Sequence, residues 1–247
     1  MLSPRLSVNV NKVATVRNSR GGRIPSVLDA VGVCLDAGAL GITVHPRANA
    51  RHITAIDVRE IAMRLAPLRG RVELNIEGDP RPDLLDLVVD VRPDQCTLVP
   101  VRPGEVTSQF GWQPDASSDL LAAAVSRLKG AGIRVSLFVD AEPAPIEWAA
   151  GAGADRVELY TEPYALAWAR SPAEGLASFE AFSRASVLAH ARGLGVNAGH
   201  DLNLENLALF RSLPHLAEVS IGHALVSHAL FVGLQGSVRD YLRVLAG

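Results

Sequence analysis

Three histidines and one glutamate stand at the ends of short apolar runs of the type that forms β-strands. These residues are His45, Glu77, His200 and His223. The carboxyl ends of parallel strands meet on one face of an α/β barrel, so we expect the four side chains to converge there. Imidazole exchanges its proton near pH ~6.5, and a glutamate beside it also moves protons. One such histidine alone is more often structural, whereas three with a glutamate predict a site for acid–base catalysis.

Arginines and a glycine beside these positions predict binding of anionic groups. Arg20 and Arg47 follow the first two predicted strands, and a guanidinium binds phosphate or carboxylate in bidentate fashion. Arg51 fits equally well as a solvated surface residue. Gly222 precedes His223 at the start of what we predict to be the last helix, where free backbone N–H groups bind phosphate. The residues therefore predict an enzyme that acts on small phosphorylated substrates.

Other chemistries remain open on the residues alone. Histidine, glutamate and aspartate are metal ligands, but the chain has no HxH, HExxH or His-Cys spacing, so a metal site is disfavoured. Lys12 is the only lysine at a predicted strand end and could form a Schiff base, as in an aldolase. A barrel that binds phosphorylated metabolites without catalysis is the third possibility.

A recurring pattern predicts the elements that position these residues. In each copy a helix-like run ends in Ala/Gly and a short β-rich run follows. Such glycines are typical left-handed helix C-caps, and units of about 30 residues favour parallel strands joined by helices. Extending the pattern predicts strands at residues 5–9, 41–45, 72–76, 95–100, 134–139, 156–160, 195–198 and 218–221. Eight such units in 247 residues predict an α/β protein, a (β/α)8 TIM barrel formed by one domain over residues 1–247.

Local signals refine this prediction. Asp57 and Glu60 form a candidate capping pair at the start of one helix, and Pro82 is placed to open the next. The segment 101–117 exceeds the usual βα loop of ~2–6 residues, and we expect it to close over bound substrate. An open doubly wound sheet is the rival fold, but it usually has a glycine-rich loop after its first strand, which this chain lacks.

Composition and charge limit the partners. The formal net charge of −2 argues against a nucleic-acid-binding surface. Cys34 and Cys96 lie among apolar residues without CxxC spacing, so neither a disulfide framework nor a zinc–thiolate site is expected. The amino terminus, MLSPRLSVNVNK, lacks the apolar run of a signal peptide. No segment approaches the ~20 apolar residues of a membrane span, so we expect a cytoplasmic protein without a membrane partner.

Taken in order along the chain, these segments resemble the pyridoxine 5′-phosphate synthase family, barrel enzymes that close the vitamin B6 ring. The motifs are LSVNVNKVATVRNSRGG, GITVHPRANARHI, NIEG, TLVPVRPGEVTS, GIRVSLFVD, LGVNAGHDL and VSIGHALV. The resemblance implies a transferase-type synthase that condenses 1-deoxy-D-xylulose 5-phosphate with 3-amino-2-oxopropyl phosphate. The products are pyridoxine 5′-phosphate, phosphate and water. It also implies that the enzyme uses no metal or organic cofactor and forms a homo-octamer built from dimers.

The resemblance further implies roles for individual residues. His45 and Glu77 match the family's proton acceptors, and His200 matches its proton donor. The positions that match the deoxyxylulose phosphate ligands are Asn11, Lys12, Arg47, His52 and Thr107, and those that match the amino-oxopropyl phosphate ligands are Asn9, Arg20, Asp201, Gly222 and His223.

The chain departs from the family pattern at two places. Many members have Asp-His in place of Asn11-Lys12, and glycine in place of Asp201. Contacts at these positions therefore do not transfer atom for atom. The carboxylate of Asp201 would be unfavourable beside a phosphate, so we expect it to turn away from one.

Overall fold

Eight parallel strands form a closed barrel in the computed structural model, which describes residues 3–101, 108–114 and 118–247. Each strand pairs with its neighbours in sequence, and the last pairs with the first. The strands are β1 (Arg5–Asn9), β2 (Gly41–Val44), β3 (Glu73–Gly78), β4 (Gln95–Leu98), β5 (Arg134–Val139), β6 (Arg156–Tyr160), β7 (Gly195–Gly199) and β8 (Leu216–Ile221). The predicted (β/α)8 barrel is confirmed, and all eight strands lie where the repeating pattern placed them.

Helices surround the barrel, with two helices rather than one after β1, β6 and β8. A short 3-10 helix, Ala66–Leu68, follows the third α-helix. No helix in the described part of the chain is long and apolar enough to cross a membrane. The α-helices are α1 (Asn11–Asn18), α2 (Val27–Asp36), α3 (Ala55–Leu65), α4 (Pro82–Val91), α5 (Ser118–Gly130), α6 (Pro143–Gly151), α7 (Glu162–Arg170), α8 (Pro172–Ala191), α9 (Leu204–Phe210), α10 (His223–Val232) and α11 (Leu234–Ala246).

The glycine that ends a helix before a strand acts as predicted. After α2, Gly38 has a φ of 108°, and its N–H donates to Leu35 O over 2.9 Å. The N–H of Ala39 then donates to Cys34 O over 3.0 Å. This pair of bonds satisfies helix carbonyls that would otherwise lack partners, and only glycine adopts the required backbone easily. The chain then turns directly into β2.

Two local predictions were wrong. The N-cap of α3 is Thr54, whose Oγ1 accepts from Asp57 N–H while the Asp57 carboxylate accepts from Thr54 N–H. Asp57 is thus the third helical residue of a capping box, and Glu60 is not its partner. The predicted last helix is two helices, because Gly233 with a φ of 76° ends α10 and begins α11. Pro82 opens α4 as predicted.

The inner face of the barrel is polar, whereas the outer face of each strand is apolar and packs on the helices. Side chains along the strands alternate between these faces. Ser7 Oγ and Thr43 Oγ1 are 2.7 Å apart, and Thr97 donates to Asn75 over 3.0 Å. All four side chains are buried. Hydrogen bonds between neighbouring strands therefore fill the interior where branched aliphatic residues are the more common solution.

Charged residues close the amino-terminal end of the barrel. Glu73 on β3 forms ion pairs with Arg5, at 2.5 Å, and with Arg134. Arg156 donates to the side chain of Asn197 over 2.8 Å. Burial, together with the charge of Glu73, raises the pKa of Glu218 to about 7, although Arg156 and its neighbours lower it. The pairing offsets the penalty of burying these charges.

Gly41 offers a test of the packing inside the barrel. A Cβ at this position would lie 2.8 Å from Ser7 Oγ and 3.1 Å from Ser7 Cα, so the neighbouring strand would have to move. We expect Gly41→Ala to lower the free energy of unfolding by about 1–3 kcal/mol, or Tm by roughly 2–10 °C. Urea and thermal unfolding would measure this. Gly151→Ala is the control, because a Cβ added there has no other heavy atom within 4 Å. Equal stability of the two variants would contradict the packing argument.

Candidate active site at the carboxyl end of the barrel

A cavity of about 280 Å³ opens at the carboxyl ends of the strands. Most of the residues that the sequence singled out line it. Arg20 does not: it is exposed in the turn that follows α1. Thr107 lies outside the described residues, as does much of the segment 101–117 that we expected to close over substrate. The predicted residues that line the cavity are Asn9, Asn11, Lys12, His45, Arg47, His52, Glu77, His200, Asp201, Gly222 and His223.

His45 and Glu77 stand side by side on the cavity wall. His45 Nδ1 is 3.7 Å from Glu77 Oε2, and Asn9 Nδ2 donates to the same oxygen over 3.5 Å. Both His45 and Glu77 are buried. The Nε2 atom of His45 is buried without a hydrogen-bond partner among the described residues. A buried polar atom without a partner is unfavourable, so a substrate group that bonds to Nε2 would gain free energy.

Asn9 and Asn11 hold this pair in position. The side chain of Asn9 accepts from Asn11 N–H over 3.0 Å, and the side chain of Asn11 accepts from His45 N–H over 2.9 Å. These bonds connect the end of β1, the start of α1 and the residue after β2. An amide oxygen accepts here as a carboxylate oxygen would. The support of His45 therefore survives the replacement of the aspartate that many family members have at position 11.

His52 is a neutral hydrogen-bond donor. Its Nδ1 accepts from Ile53 N–H over 2.9 Å, so the proton of the neutral ring lies on Nε2. Burial lowers the pKa of His52 to about 3, and electrostatic interactions with His45, Arg51, Arg47 and Lys12 add to this effect. The ring is therefore uncharged at neutral pH and contributes an N–H group to the cavity.

Arg17 holds the segment that carries His52. The sequence analysis did not assign Arg17 a role, and the structure places it in α1, where it binds the Asp57 carboxylate at 2.5 and 2.9 Å. It also donates to His52 O over 3.2 Å, as Asn18 does over 2.8 Å. Burial raises the pKa of Asp57, but hydrogen bonds from Arg17 and Thr54 outweigh burial and keep it below its usual value. Asp57 is thus a charged partner for Arg17 at neutral pH.

His200 and Asp201 form the wall after β7. Both have left-handed backbone, with φ of 84° and 57°. His200 Nδ1 is 2.7 Å from Asp201 Oδ2. The hydrogen bond to His200, with smaller contributions from His223 and Lys12, lowers the pKa of Asp201 against the effect of burial. The partner of the carboxylate is the neighbouring imidazole.

Glu158 is a candidate functional residue that the sequence analysis did not select. It lies on the inner face of β6, is 4% exposed and lines the same cavity. Burial raises its pKa well above the usual value, and the charges of Glu77 and Glu218 raise it further. A Cβ on Gly199 would lie 2.3 Å from Glu158 Oε1, so the glycine of β7 makes room for this carboxyl group. The sequence feature that could have identified Glu158 is a glutamate within the otherwise apolar end of the strand run RVELY.

The remaining walls differ in character. Val99 directly after β4, Phe138 on β5 and Tyr160 on β6 form a small apolar cluster, and the first two line the cavity. Gly222 lines it opposite, at the start of α10, where a helix amino terminus favours anions. In the described ranges, no group of three or more His, Cys, Asp or Glu residues is arranged to hold a metal ion. The site thus combines proton-transfer groups with positive potential.

Comparisons with known proteins agree with this arrangement. The family model described as pyridoxal phosphate biosynthesis protein PdxJ matches residues 6–247. A relative from Bacteroides fragilis, named pyridoxine 5′-phosphate synthase, is 50% identical over 242 residues, which cover 98% of this chain and 99% of the relative. A relative of the same name from Leptospira biflexa is 47% identical over 252 residues, with coverage of 98% and 97%.

Solved structures that resemble the chain share its fold. Phosphoribosyl anthranilate isomerase from Thermotoga maritima superposes with a TM-score of 0.60 at 14% identity, covering 99% of each chain. A structure titled native KDPGal gives a TM-score of 0.62 at 14% identity, covering 100% of this chain and 96% of the other. Identities this low support the barrel fold alone.

The raised pKa of Glu158 predicts a pH-dependent stability. The folded protein binds the Glu158 proton more tightly than the unfolded chain does, so this stabilisation is present below pH ~4.3 and is lost as the pH rises towards the folded pKa. We expect Glu158→Gln to be more stable than the wild type at pH 8 and to lose that advantage at low pH. Thermal unfolding across pH would measure it. Glu147→Gln is the control: its partner Arg192 lowers the pKa of Glu147, so we expect no gain in stability at pH 8. A Glu158→Gln protein that is less stable than the wild type at pH 8 would contradict a protonated Glu158.

Proposed function

This chain belongs to the family of the pyridoxal phosphate biosynthesis protein PdxJ, and on that premise we propose that it is a pyridoxine 5′-phosphate synthase. The proposed reaction condenses 1-deoxy-D-xylulose 5-phosphate with 3-amino-2-oxopropyl phosphate and releases phosphate and water. The observation that carries the proposal is the convergence of His45, Glu77 and His200 on one cavity with basic residues around it. The resemblance of the motifs and the names of the relatives support the same reaction.

The chemistry requires several proton transfers in one site. The amine of one substrate attacks the ketone of the other, and the nitrogen loses protons while the departing hydroxyl group gains one. Ring closure then removes a proton from carbon, and water and phosphate leave. General acid–base groups typically accelerate such steps ~10²–10⁴-fold each. Groups on different strands could serve the successive steps from different sides of the substrates.

We assign His45 and Glu77 as the proton acceptors and His200 as the donor. The 3.7 Å separation of His45 Nδ1 and Glu77 Oε2 supports a shared proton-accepting role. Glu158 is a buried carboxyl group in the same cavity, and its raised pKa supports a protonated form beside Glu77. In this assignment Glu77 accepts protons while protonated Glu158 donates hydrogen bonds.

Two regions of the cavity suit the two phosphorylated substrates. Lys12 and Arg47 lie on the β1–β2 side with the neutral N–H of His52, and we assign deoxyxylulose phosphate to them. The amino terminus of α10, with Gly222 and His223, suits the phosphate of the amino-oxopropyl substrate. Asn9 lies between the two regions and contacts Glu77.

The proposal also covers the oligomeric state and the cellular compartment of the protein. We propose a cytoplasmic homo-oligomer, an octamer by the resemblance, without nucleic-acid or membrane partners. Exposed apolar side chains support contacts between copies: Ile24, Leu230 and Phe231 are 85%, 77% and 88% exposed. Sedimentation would give the mass of the assembly.

A direct assay tests the function. Purified protein is incubated with both substrates, and the product is identified by mass and by phosphate release. Pyridoxine 5′-phosphate is the expected product. Binding of the substrates without product would favour a non-catalytic barrel. Borohydride trapping of a substrate on Lys12 would favour an aldolase-like mechanism, because in the synthase the amine comes from the substrate.

Glu77→Gln tests the assignment of the proton acceptor. The amide has the shape of the carboxylate but does not accept a proton, so we expect turnover to fall ~10²–10⁴-fold with little change in Tm. Glu180→Gln is the matched control, because Glu180 is exposed on α8 and distant from the cavity lining. Turnover of Glu77→Gln equal to that of this control would remove Glu77 from the mechanism.

A further inference from the structure

We propose that Asp201 is a positioning residue for His200: its carboxylate holds the ring proton on Nδ1 and leaves Nε2 as the nitrogen that exchanges a proton with substrate. The tautomer follows from the structure of the site alone, and only its catalytic consequence rests on the proposed function.

The contact between the two side chains is short and directional. His200 Nδ1 and Asp201 Oδ2 are 2.7 Å apart, within the range of a charge-assisted hydrogen bond. The ring of Tyr160 on β6 packs edge-on against the imidazole, with ring centres 5.2 Å apart. The imidazole is thus held by a carboxylate at one nitrogen and by an aromatic ring at its side. A hydrogen bond at one ring nitrogen determines which nitrogen carries the proton of the neutral ring.

The backbone is arranged so that adjacent side chains meet. In an extended strand, neighbouring side chains point to opposite faces, and His200 could not contact Asp201 in this way. Here both residues adopt left-handed backbone, which is uncommon for residues other than glycine and tolerated best by Asn and Asp. Consecutive residues in this region are strained and persist only when the surroundings enforce them.

The surroundings of this turn do enforce it. Thr161 Oγ1 donates to Gly199 O over 2.8 Å and also bonds to His200 O. Asn206 Nδ2 donates to Asp201 O over 3.1 Å. Side chains from the segments after β6 and β7 therefore bind three successive carbonyl groups. The left-handed turn that brings the carboxylate to the imidazole is maintained independently of the bond between them.

The charges around the pair keep Asp201 anionic. His223 on α10 and Lys12 on α1 face it with positive charge or polar N–H groups, and both lower its pKa together with His200. Glu158 lines the same cavity from β6. Burial raises the pKa of Tyr160, and the hydrogen bond to Glu162 and the charges of Glu162, Asp201 and Asp140 raise it further. Tyr160 therefore stays neutral and does not compete for the proton. At neutral pH Asp201 is the anion in contact with the His200 ring.

The proton transfer is balanced without Asp201 changing its own protonation. When protonated His200 donates, its Nε2–H bond breaks and an O–H bond forms on the departing oxygen of the substrate. The ring becomes neutral and retains the proton on Nδ1, where Asp201 accepts its hydrogen bond. Removing the carboxylate therefore removes the group that keeps the ring proton on Nδ1.

Nitrogen-15 NMR of the histidine rings in the substrate-free protein tests the tautomer. We expect the neutral His200 ring to carry its proton on Nδ1 in the wild type, and on Nε2 to a large extent in Asp201→Asn and Asp201→Gly. Asparagine keeps the shape of aspartate and tolerates left-handed backbone, while glycine removes any strain, so a change shared by both variants arises from the lost charge. Asp240→Asn is the matched control: it removes the carboxylate 2.7 Å from His228 Nε2, remote from the cavity lining. It should leave the His200 signals unchanged.

The separate effects on kcat and KM provide the second measurement. We expect kcat to fall roughly 10–10⁴-fold in both Asp201 variants, with KM nearly unchanged, because loss of the orienting carboxylate leaves part of the rings in the wrong tautomer. An unchanged His200 tautomer in both variants would overturn the proposal. So would a rise in KM without a fall in kcat, which would make Asp201 a substrate ligand instead. Because the NMR result needs no turnover, absence of pyridoxine 5′-phosphate from the wild-type reaction would contradict the proposed function and leave the tautomer result intact.

Discussion

The structure depends on the pairing of buried polar groups inside the barrel. The strands bury apolar side chains against the helices on their outer face, and they place polar and charged side chains on their inner face. Such groups are unfavourable in the interior unless they are hydrogen-bonded or ion-paired. Ser7 with Thr43, Asn75 with Thr97, and Glu73 with two arginines meet this requirement between neighbouring strands. The register of the barrel is therefore tied to specific polar contacts as well as to hydrophobic packing.

The same requirement explains which atoms are available for chemistry. Among the described residues only two buried side-chain atoms lack a hydrogen-bond partner, Ser136 Oγ and His45 Nε2. Ser136 lies within the barrel, and nothing in the structure explains why its hydroxyl has no partner. His45 lies at the cavity, where a substrate could complete the pairing. The neighbouring Asn9 side chain bonds to Glu77 and to Asn11 N–H, and the Asn11 side chain bonds to His45 N–H.

Electrostatics then separates groups of the same chemical type. His52 remains neutral because it is buried among positive charges, whereas His200 lies against an anionic carboxylate. Glu158 has its pKa raised by burial and by the charge of Glu77. Burial and the nearest charges thus place identical side chains of one cavity in different electrostatic surroundings, and the proposed donor and acceptor roles depend on this difference.

The amino-acid sequence by itself determined the order of strands and helices, because local signals control them. Glycine C-caps, Pro82 at the start of α4 and short apolar runs all act within a few residues. It also determined that His45, Glu77 and His200 would meet, because the carboxyl ends of parallel strands must share one face. The proposed substrates and residue roles came from the resemblance of the motifs, because the local signals for strands and helices do not specify them.

The tertiary structure alone decided the contacts between distant segments. Arg17 binds Asp57, forty residues away, and donates to the backbone carbonyl of His52. The spacing of these residues along the chain does not predict either contact. Glu158 is visible in the sequence run RVELY, but its raised pKa comes from burial and from charges on other strands. The fold also leaves Arg20 outside the cavity lining. The turn at His200 and Asp201 is also a tertiary feature, since Thr161 and Asn206 hold it. Burial and long-range pairing depend on which strands become neighbours. A pattern along the sequence predicts the order of the strands more readily than the side-chain contacts that this order creates.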